Sequence, residues 1–304
     1  MLKTSRRVAK RHLAVATLTA ATIALTACAP TDEADGGSDG GSDATAGASE
    51  SAAAGECTPD SMETVSDGTL TIATDDPAYE PWFVDNDPTN DQGYESAVAY
   101  AIAEQLGYTD EQVTWVTVPF NKVVQPGPKE FDLDLNQVSI TEARRKAVDF
   151  SSGYYDVVQA VITNSGSDID GVTSVADLAD AKLGAQVGTT SYTAITDQIQ
   201  PSQDPAVFDT NDQAVQALKN GQIDGIVVDL PTAYFMTAVQ LDDGVIVGQL
   251  PLPEGDPEQF GAVLAKDSPL TSCVSGAVDA LREDGILDQI NEEWLKQQGA
   301  PELS

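Results

Sequence analysis

From residue 68 onward, short apolar runs alternate with stretches whose apolar residues recur every three or four positions. Leu70-Thr71-Ile72-Ala73 is short, apolar and bounded by turn residues, which predicts a strand. Val98, Ile102 and Leu106 stand at i, i+4 and i+8 between Glu95 and Leu106, with Gly107 as a stop, so this stretch reads as an amphipathic helix. Val113 to Val118 and Phe131 to Leu135 read as further strands, and Val157 to Thr163 as a longer β-rich run. Ser174 is placed to cap a short helix, and Leu183 to Val187 forms the next strand. A helix through Val215 and Leu218 stops at Gly221 and precedes the strand Ile226-Val227-Val228. The last strand is Ala262 to Ala265. Two helices close the chain, one through Val274, Val278 and Leu281, the other through Leu287, Ile290 and Trp294, parted at Gly285. The alternation predicts an α/β architecture with largely parallel sheets. There is no internal repeat and no Walker or Rossmann glycine pattern.

The first 55 residues follow a different pattern. A basic stretch from Lys3 to Arg11 precedes the apolar run Leu13–Leu25, which ends in the small residues Thr26-Ala27-Cys28. That order is an export signal, and the run falls short of the ~20 residues of a spanning helix. Leu25-Thr26-Ala27-Cys28 also resembles the lipobox of bacterial lipoproteins, in which the cysteine becomes the lipidated N-terminus; a plain signal peptide is the alternative. Ser5-Arg6-Arg7 is a partial twin-arginine pattern that leaves the export route open. Residues 28–55 carry Gly, Ser, Ala, Thr and acidic residues with no large apolar side chain, and read as a disordered tether.

Charge and cysteine content narrow the function. The chain of 304 residues has 49 acidic side chains against 15 basic ones, five of which lie in the first eleven positions. Without the leader, ten bases face 49 acids, a formal charge of −39, which repels phosphate backbones and argues against nucleic-acid binding. The single histidine, His12, lies in the leader, so no histidine is left for a nucleophile–base pair, a metal site or a proton relay. With Cys28 lipidated, Cys57 and Cys273 remain as an even pair in an oxidising compartment. They are expected to form a bridge that clamps the start of the folded part to its C-terminal helices, two free thiols being the alternative.

In α/β sheets ligands sit beyond the carboxyl ends of the strands. Asp75, Asp76 and Tyr79 follow the first strand, and Phe120 the second. Asn136, Gln137 and Ser139 follow Leu135, with Arg144 a turn later. Gly188-Thr189-Thr190-Ser191 follow Val187, and Asp229 follows Val228. The set holds donors for a carboxylate, acceptors for an ammonium group and rings to stack on, with no metal ligand set and no cofactor. Asp85 to Asp91 lacks the glycine and glutamate spacing of a calcium loop.

Several stretches resemble the polar amino-acid (family 3) solute-binding proteins of ABC importers, which have the type II periplasmic-binding-protein fold. They are Ile72-Ala73-Thr74-Asp75-Asp76-Pro77-Ala78-Tyr79-Glu80-Pro81-Trp82, Gly93-Tyr94-Glu95, and Val138-Ser139-Ile140-Thr141-Glu142-Ala143-Arg144. Val148-Asp149-Phe150-Ser151 with Tyr154-Tyr155, Gly188-Thr189-Thr190, Asn220 to Gly225, Val228-Asp229 and Asp284-Gly285-Ile286-Leu287 follow in order, between about residues 68 and 297. The resemblance implies two lobes with a ligand cleft between them and two hinge crossovers, near 156–162 and 256–262. Lobe 1 is expected to hold 56–158 plus 257–304, and lobe 2 159–256, after a signal peptide at 1–27. It implies that Arg144 grips a ligand carboxylate bidentately, through two N–H donors, joined by Ser139, Thr190 and the amides after Thr190. Asp229 is assigned to the ligand ammonium, Tyr79 and Phe120 to its side chain, and Asp76, Asn136, Gln137 and Ser191 to the specificity end. The implied function is capture of a small zwitterion, a polar amino acid or derivative, by a monomer anchored by lipid outside the membrane. Its partners are a permease and that permease's ATPase.

Each residue also has a plainer reading. Asp229, Thr189 and Thr190 could be helix caps, Arg144 a surface ion pair with Glu142 or Asp149, and Tyr79 and Phe120 core. Asn136-Gln137, Glu80, Asp134 within an apolar strand, and Pro126-Gly127-Pro128 depart from the family pattern. The rival functions are an exported dehydratase on the same fold, using Glu95 or Asp134 as general acid, and a ligand-sensing lipoprotein. Fold alone does not choose among them.

Overall fold

The computed structural model describes residues 57–253, 255–295 and 300–304. The signal peptide, Cys28 and the tether lie outside the described residues. Among the described residues no helix is long and apolar enough to cross a membrane.

The chain opens with β1 (Leu70–Thr74), α1 (Tyr94–Gln105), β2 (Val113–Thr117), α2 (Phe120–Val123), β3 (Leu133–Asp134) and β4 (Val148–Asp156). It continues through β5 (Gln159–Asn164), β6 (Leu183–Gln186), α3 (Thr190–Ala194), β7 (Ala206–Phe208), α4 (Asn211–Lys219), β8 (Gly225–Asp229), α5 (Leu230–Phe235) and β9 (Gly244–Gln249). It closes with β10 (Gln259–Ala265), α6 (Thr271–Glu283) and α7 (Ile286–Trp294). Ser174 caps a single 3-10 turn, Val175–Leu178, where a short helix was expected.

Two five-stranded sheets result, in the orders β2-β1-β3-β10-β4 and β7-β6-β8-β5-β9. Each is mixed, which corrects the expectation of largely parallel sheets. β1 pairs parallel with β2 and β3, while β10 runs antiparallel to β3 and β4. In the second sheet β6 pairs parallel with β7 and β8, while β5 runs antiparallel to β8 and β9. The reversal has a topological cause: β5 and β10 arrive from the other lobe, so each enters its sheet at the cleft end and runs away from it.

Both sheets are covered on both faces, which is why the central strands read as unbroken apolar runs. In β8, Ile226 and Val228 join the core under α4 and α5 while Val227 joins the opposite core with Leu183 and Ile195. In lobe 1, Val98, Ile102, Val274, Val278 and Leu287 of α1, α6 and α7 cover Leu70 and Ile72 on one face. Ala73 faces Phe120, Val123 and Phe150 on the other. Gly93, at the entry to α1, has φ +96°, and a Cβ there would lie 2.5 Å from the Trp82 carbonyl oxygen. Only glycine fits that approach.

The chain crosses from β4 to β5 through residues 157–158 and returns from β9 to β10 through 250–258. Residues 300–304, expected with lobe 1, instead lie along lobe 2. Gln249 N donates to Pro301 O (2.8 Å), Leu303 N to Gln249 O (2.9 Å), Ser304 N to Thr173 O (3.0 Å) and Val175 N to Ser304 O (3.0 Å). Leu303 is 1% exposed and rests against Gly248, where a Cβ would come within 2.8 Å of it. At the other end, Cys57 and Cys273 form a disulfide that ties the chain entering lobe 1 to α6.

Candidate functional site

The carboxyl ends of β1, β2 and β3 face those of β6 and β8 across the cleft, and loop residues from both lobes line it. From lobe 1 come Asp75, Tyr79, Phe120, Asn136, Gln137, Ser139 and Arg144. From lobe 2 come Gln186, Thr189, Thr190, Ser191, Asn211 and Asp229, and Gln159 and Phe260 stand at the crossovers. The cleft between these residues leaves a cavity of about 50 Å³, room for a few waters.

Nine of the ten residues expected at the site line this cleft. Asp76 does not: its carboxylate turns away to accept from Asn86 Nδ2 (3.0 Å). The preceding Asp75 lines the cleft in its place, with Oδ2 accepting from Phe120 N (3.1 Å) and Oδ1 from Asp76 N (2.8 Å). Burial pushes the Asp75 carboxyl up from the ordinary value.

Arg144 lies in a 3-10 turn after Ser139, where Nη1 donates to Ser139 O (2.6 Å) and Nη2 to Gly188 O (2.8 Å) across the cleft. Its guanidinium lies 5.6 Å from the Phe120 ring centre, a cation–π approach that also holds it in place. Burial lowers its pKa to about 10, so it stays charged at neutral pH. Of the two acids that the surface reading offered Arg144, Glu142 and Asp149, Asp149 pairs with Lys266 (2.8 Å). Phe120 is 7% exposed and serves both core and cleft.

Asp229 caps α5, accepting from Thr232 N (3.0 Å), and also faces the cleft. The cap reading and the site reading are thus compatible. Burial raises its pKa to about 6 despite that bond. Thr189 caps α3, accepting from Tyr192 N (3.3 Å), which leaves Thr190 and Ser191 as the first residues of the helix, facing the ligand space. Across the cleft, Ser139 Oγ and Thr190 Oγ1 stand 3.0 Å apart. Nearby, the buried Trp82 Nε1 donates to Thr232 Oγ1 (2.8 Å), a further contact between the lobes.

Gln137 adopts φ +50°, unusual for a non-glycine residue. Glu95, at the start of α1, holds it there. Gln137 N donates to Glu95 Oε1 (2.7 Å), and Gln137 Nε2 and the Tyr154 hydroxyl also donate to that carboxylate. Glu95 is fully buried, and burial raises its pKa to about 7. Asp134, at the end of β3, is fully buried with neither carboxylate oxygen hydrogen-bonded, and is pushed well above the ordinary carboxylate range by burial. Lys129, the lysine that acts on it, donates to Val123 O and Gln125 O. Neither Glu95 nor Asp134 lines the cleft.

The sequence profile of the bacterial extracellular solute-binding proteins, family 3, matches residues 70–297. The arginine-binding extracellular protein ArtP of Bacillus subtilis is 26% identical over 224 residues, covering 71% of this chain and 82% of that protein. Among solved structures, an ancestral arginine-binding protein bound to glutamine superposes with a TM-score of 0.61 at 28% identity, covering 75% of this chain and 98% of that one. The ancestral amino acid-binding protein AncCDT-1, a precursor of cyclohexadienyl dehydratase, gives 0.60 at 27% identity, covering 74% and 94%. With a family match that spans most of the folded chain and a cleft built from both lobes, this protein belongs to the bacterial extracellular solute-binding proteins of family 3.

Proposed function

We propose that the protein captures a polar amino acid between its lobes and delivers it to the permease of an ABC importer. The observation that carries this reading is the meeting of Arg144 and Ser139 from lobe 1 with Thr190 and Asp229 from lobe 2 on one cleft. Arg144 and the two hydroxyls take the α-carboxylate, Asp229 takes the α-ammonium, and Tyr79 and Phe120 flank the side chain. Asp75, Asn136, Gln137 and Ser191 line the specificity end, where the Asp75 carboxylate favours a cationic or donor-bearing side chain. The arginine-binding relatives support that preference. Cys28 is the lipidated N-terminus, and residues 29–55 are the leash that holds the binding domain outside the membrane. Binding is favoured over dehydratase chemistry because Glu95 and Asp134 are withdrawn from the cleft.

The test is calorimetric titration of the purified protein with each of the twenty amino acids. One or a few are expected to bind. Arg144→Ala then weakens binding roughly 100-fold, as two charge-assisted hydrogen bonds at about 1.5 kcal/mol each are lost. Binding of none of the twenty, or full affinity in Arg144→Ala, overturns the reading.

A further inference from the structure

Glu258 is the last residue of the crossover before β10, and nothing in the family motifs marks it out. Its backbone is pinned to the other crossover, with Val157 N donating to Glu258 O (2.7 Å). Its side chain does not line the ligand cleft; it reaches the seam between the lobes from the adjoining groove, on the far side of two hydroxyls that do. One carboxylate oxygen accepts from Ser139 Oγ (2.5 Å) and from Thr190 Oγ1 (2.6 Å). Ser139 belongs to lobe 1 and Thr190 to lobe 2, so this single oxygen draws the lobes together.

These are the same two hydroxyls assigned above to the ligand's α-carboxylate. Each has one proton to give. An external carboxylate takes those two bonds only when Glu258 releases them, and the Glu258 charge also opposes a second carboxylate arriving beside it. We propose that Glu258 is a built-in stand-in for the ligand carboxylate, a hinge-borne latch that joins the lobes through Ser139 and Thr190 and that the incoming amino acid displaces. The proposal rests on the zwitterion reading of the cleft and adds a residue that sets its affinity. The apparent affinity is reduced by the fraction of molecules in which the latch is made. A ligand without an α-carboxylate gains nothing from displacing it.

The experiment compares wild type, Glu258→Ala and Glu258→Gln by calorimetry with the twenty amino acids. Small-angle scattering of each protein without added amino acid reads the opening. Glu258→Ala is expected to bind the wild type's preferred amino acid about tenfold more tightly and to show a larger radius of gyration, with Glu258→Gln between the two. Agmatine, which is arginine without its carboxylate, is expected to gain nothing from Glu258→Ala. Unchanged or weaker amino-acid binding by Glu258→Ala, or equal tightening for agmatine, overturns the latch. Expansion of Glu258→Ala with no amino acid bound by any variant retains the link between the lobes but overturns the zwitterion reading and, with it, displacement by an amino acid. No expansion and no binding overturns both.

Discussion

Glu95 makes the pH dependence of stability a direct probe of the site's supporting layer. Its carboxyl is fully buried, and burial outweighs the three donors it accepts from, so its pKa rises from 4.5 to about 7. The sign follows from linkage. The folded protein holds this proton more tightly than the unfolded chain, so the stabilisation is complete below about pH 4.5 and is lost as pH rises through about 7. At about 1.4 kcal/mol for each pH unit of that gap, the loss comes to about 3 kcal/mol. Asp229, raised to about 6, and the buried Asp75, Asp132 and Asp134 act in the same direction. Asp149, held low by its bonds to Lys266 and Thr271, acts only in more acidic solution. Wild type should therefore be more stable at pH 5 than at pH 7.5. The difference between wild type and Glu95→Gln isolates one group, because the amide keeps the shape and the acceptor oxygen but carries no titratable proton. Urea unfolding at half-unit intervals from pH 5 to 8 measures both. Glu95→Gln is expected to lose less stability over that range, by about 2.5 kcal/mol, because part of the effect already lies below pH 5. Parallel curves for the two proteins would refute the account of a carboxyl charged only at a cost.

Three further outcomes follow from particular contacts. Replacing Cys57 and Cys273 together with serine frees a loop with a sequence separation of 216, for which chain-entropy arguments give a ceiling of about 5 kcal/mol; an unshifted urea midpoint would count against the bridge. Leu303→Ala empties a buried seat beside Gly248 and should cost about 2–4 kcal/mol, whereas a cost within about 0.5 kcal/mol would mean the C-terminal residues are not docked on lobe 2. Gly93→Ala places a Cβ 2.5 Å from a backbone oxygen at φ +96°, and should lower stability by about 2 kcal/mol or more; a wild-type melting temperature would contradict that geometry.

What the sequence disclosed, and what it hid, divides along the direction of the strands. Strands buried on both faces, such as Ile226-Val227-Val228, read plainly because every side chain is apolar. β4 carries Ser151, Ser152 and Gly153 through its middle, and its pairing with β10 shifts register twice, so its apolar positions keep no single period. It was legible only as a motif, and the short β7 and the polar-ended β9 were not read as strands. The site follows the same division. Looking past the carboxyl ends of strands finds Tyr79, Phe120, Asn136, Ser139, Thr190 and Asp229, because β1, β2, β3, β6 and β8 all point at the cleft. Asp75 and Asp76 could not be told apart that way, since side-chain alternation stops at Thr74, where β1 ends, and the turn beyond it decides which carboxylate faces inward. The remaining residues lie where the rule does not look. β5 and β10 run antiparallel to their neighbours, so their amino ends, not their carboxyl ends, border the cleft. Gln159 opens β5 opposite Asp229, and Glu258 and Phe260 flank the start of β10. In a fold whose hinge strands enter each sheet from the other lobe, the first residues of those strands are pinned to the seam by backbone pairing and reach both lobes at once. A side chain that couples closure to binding is therefore to be sought there, and Glu258, hydrogen-bonded to a hydroxyl of each lobe, occupies that position.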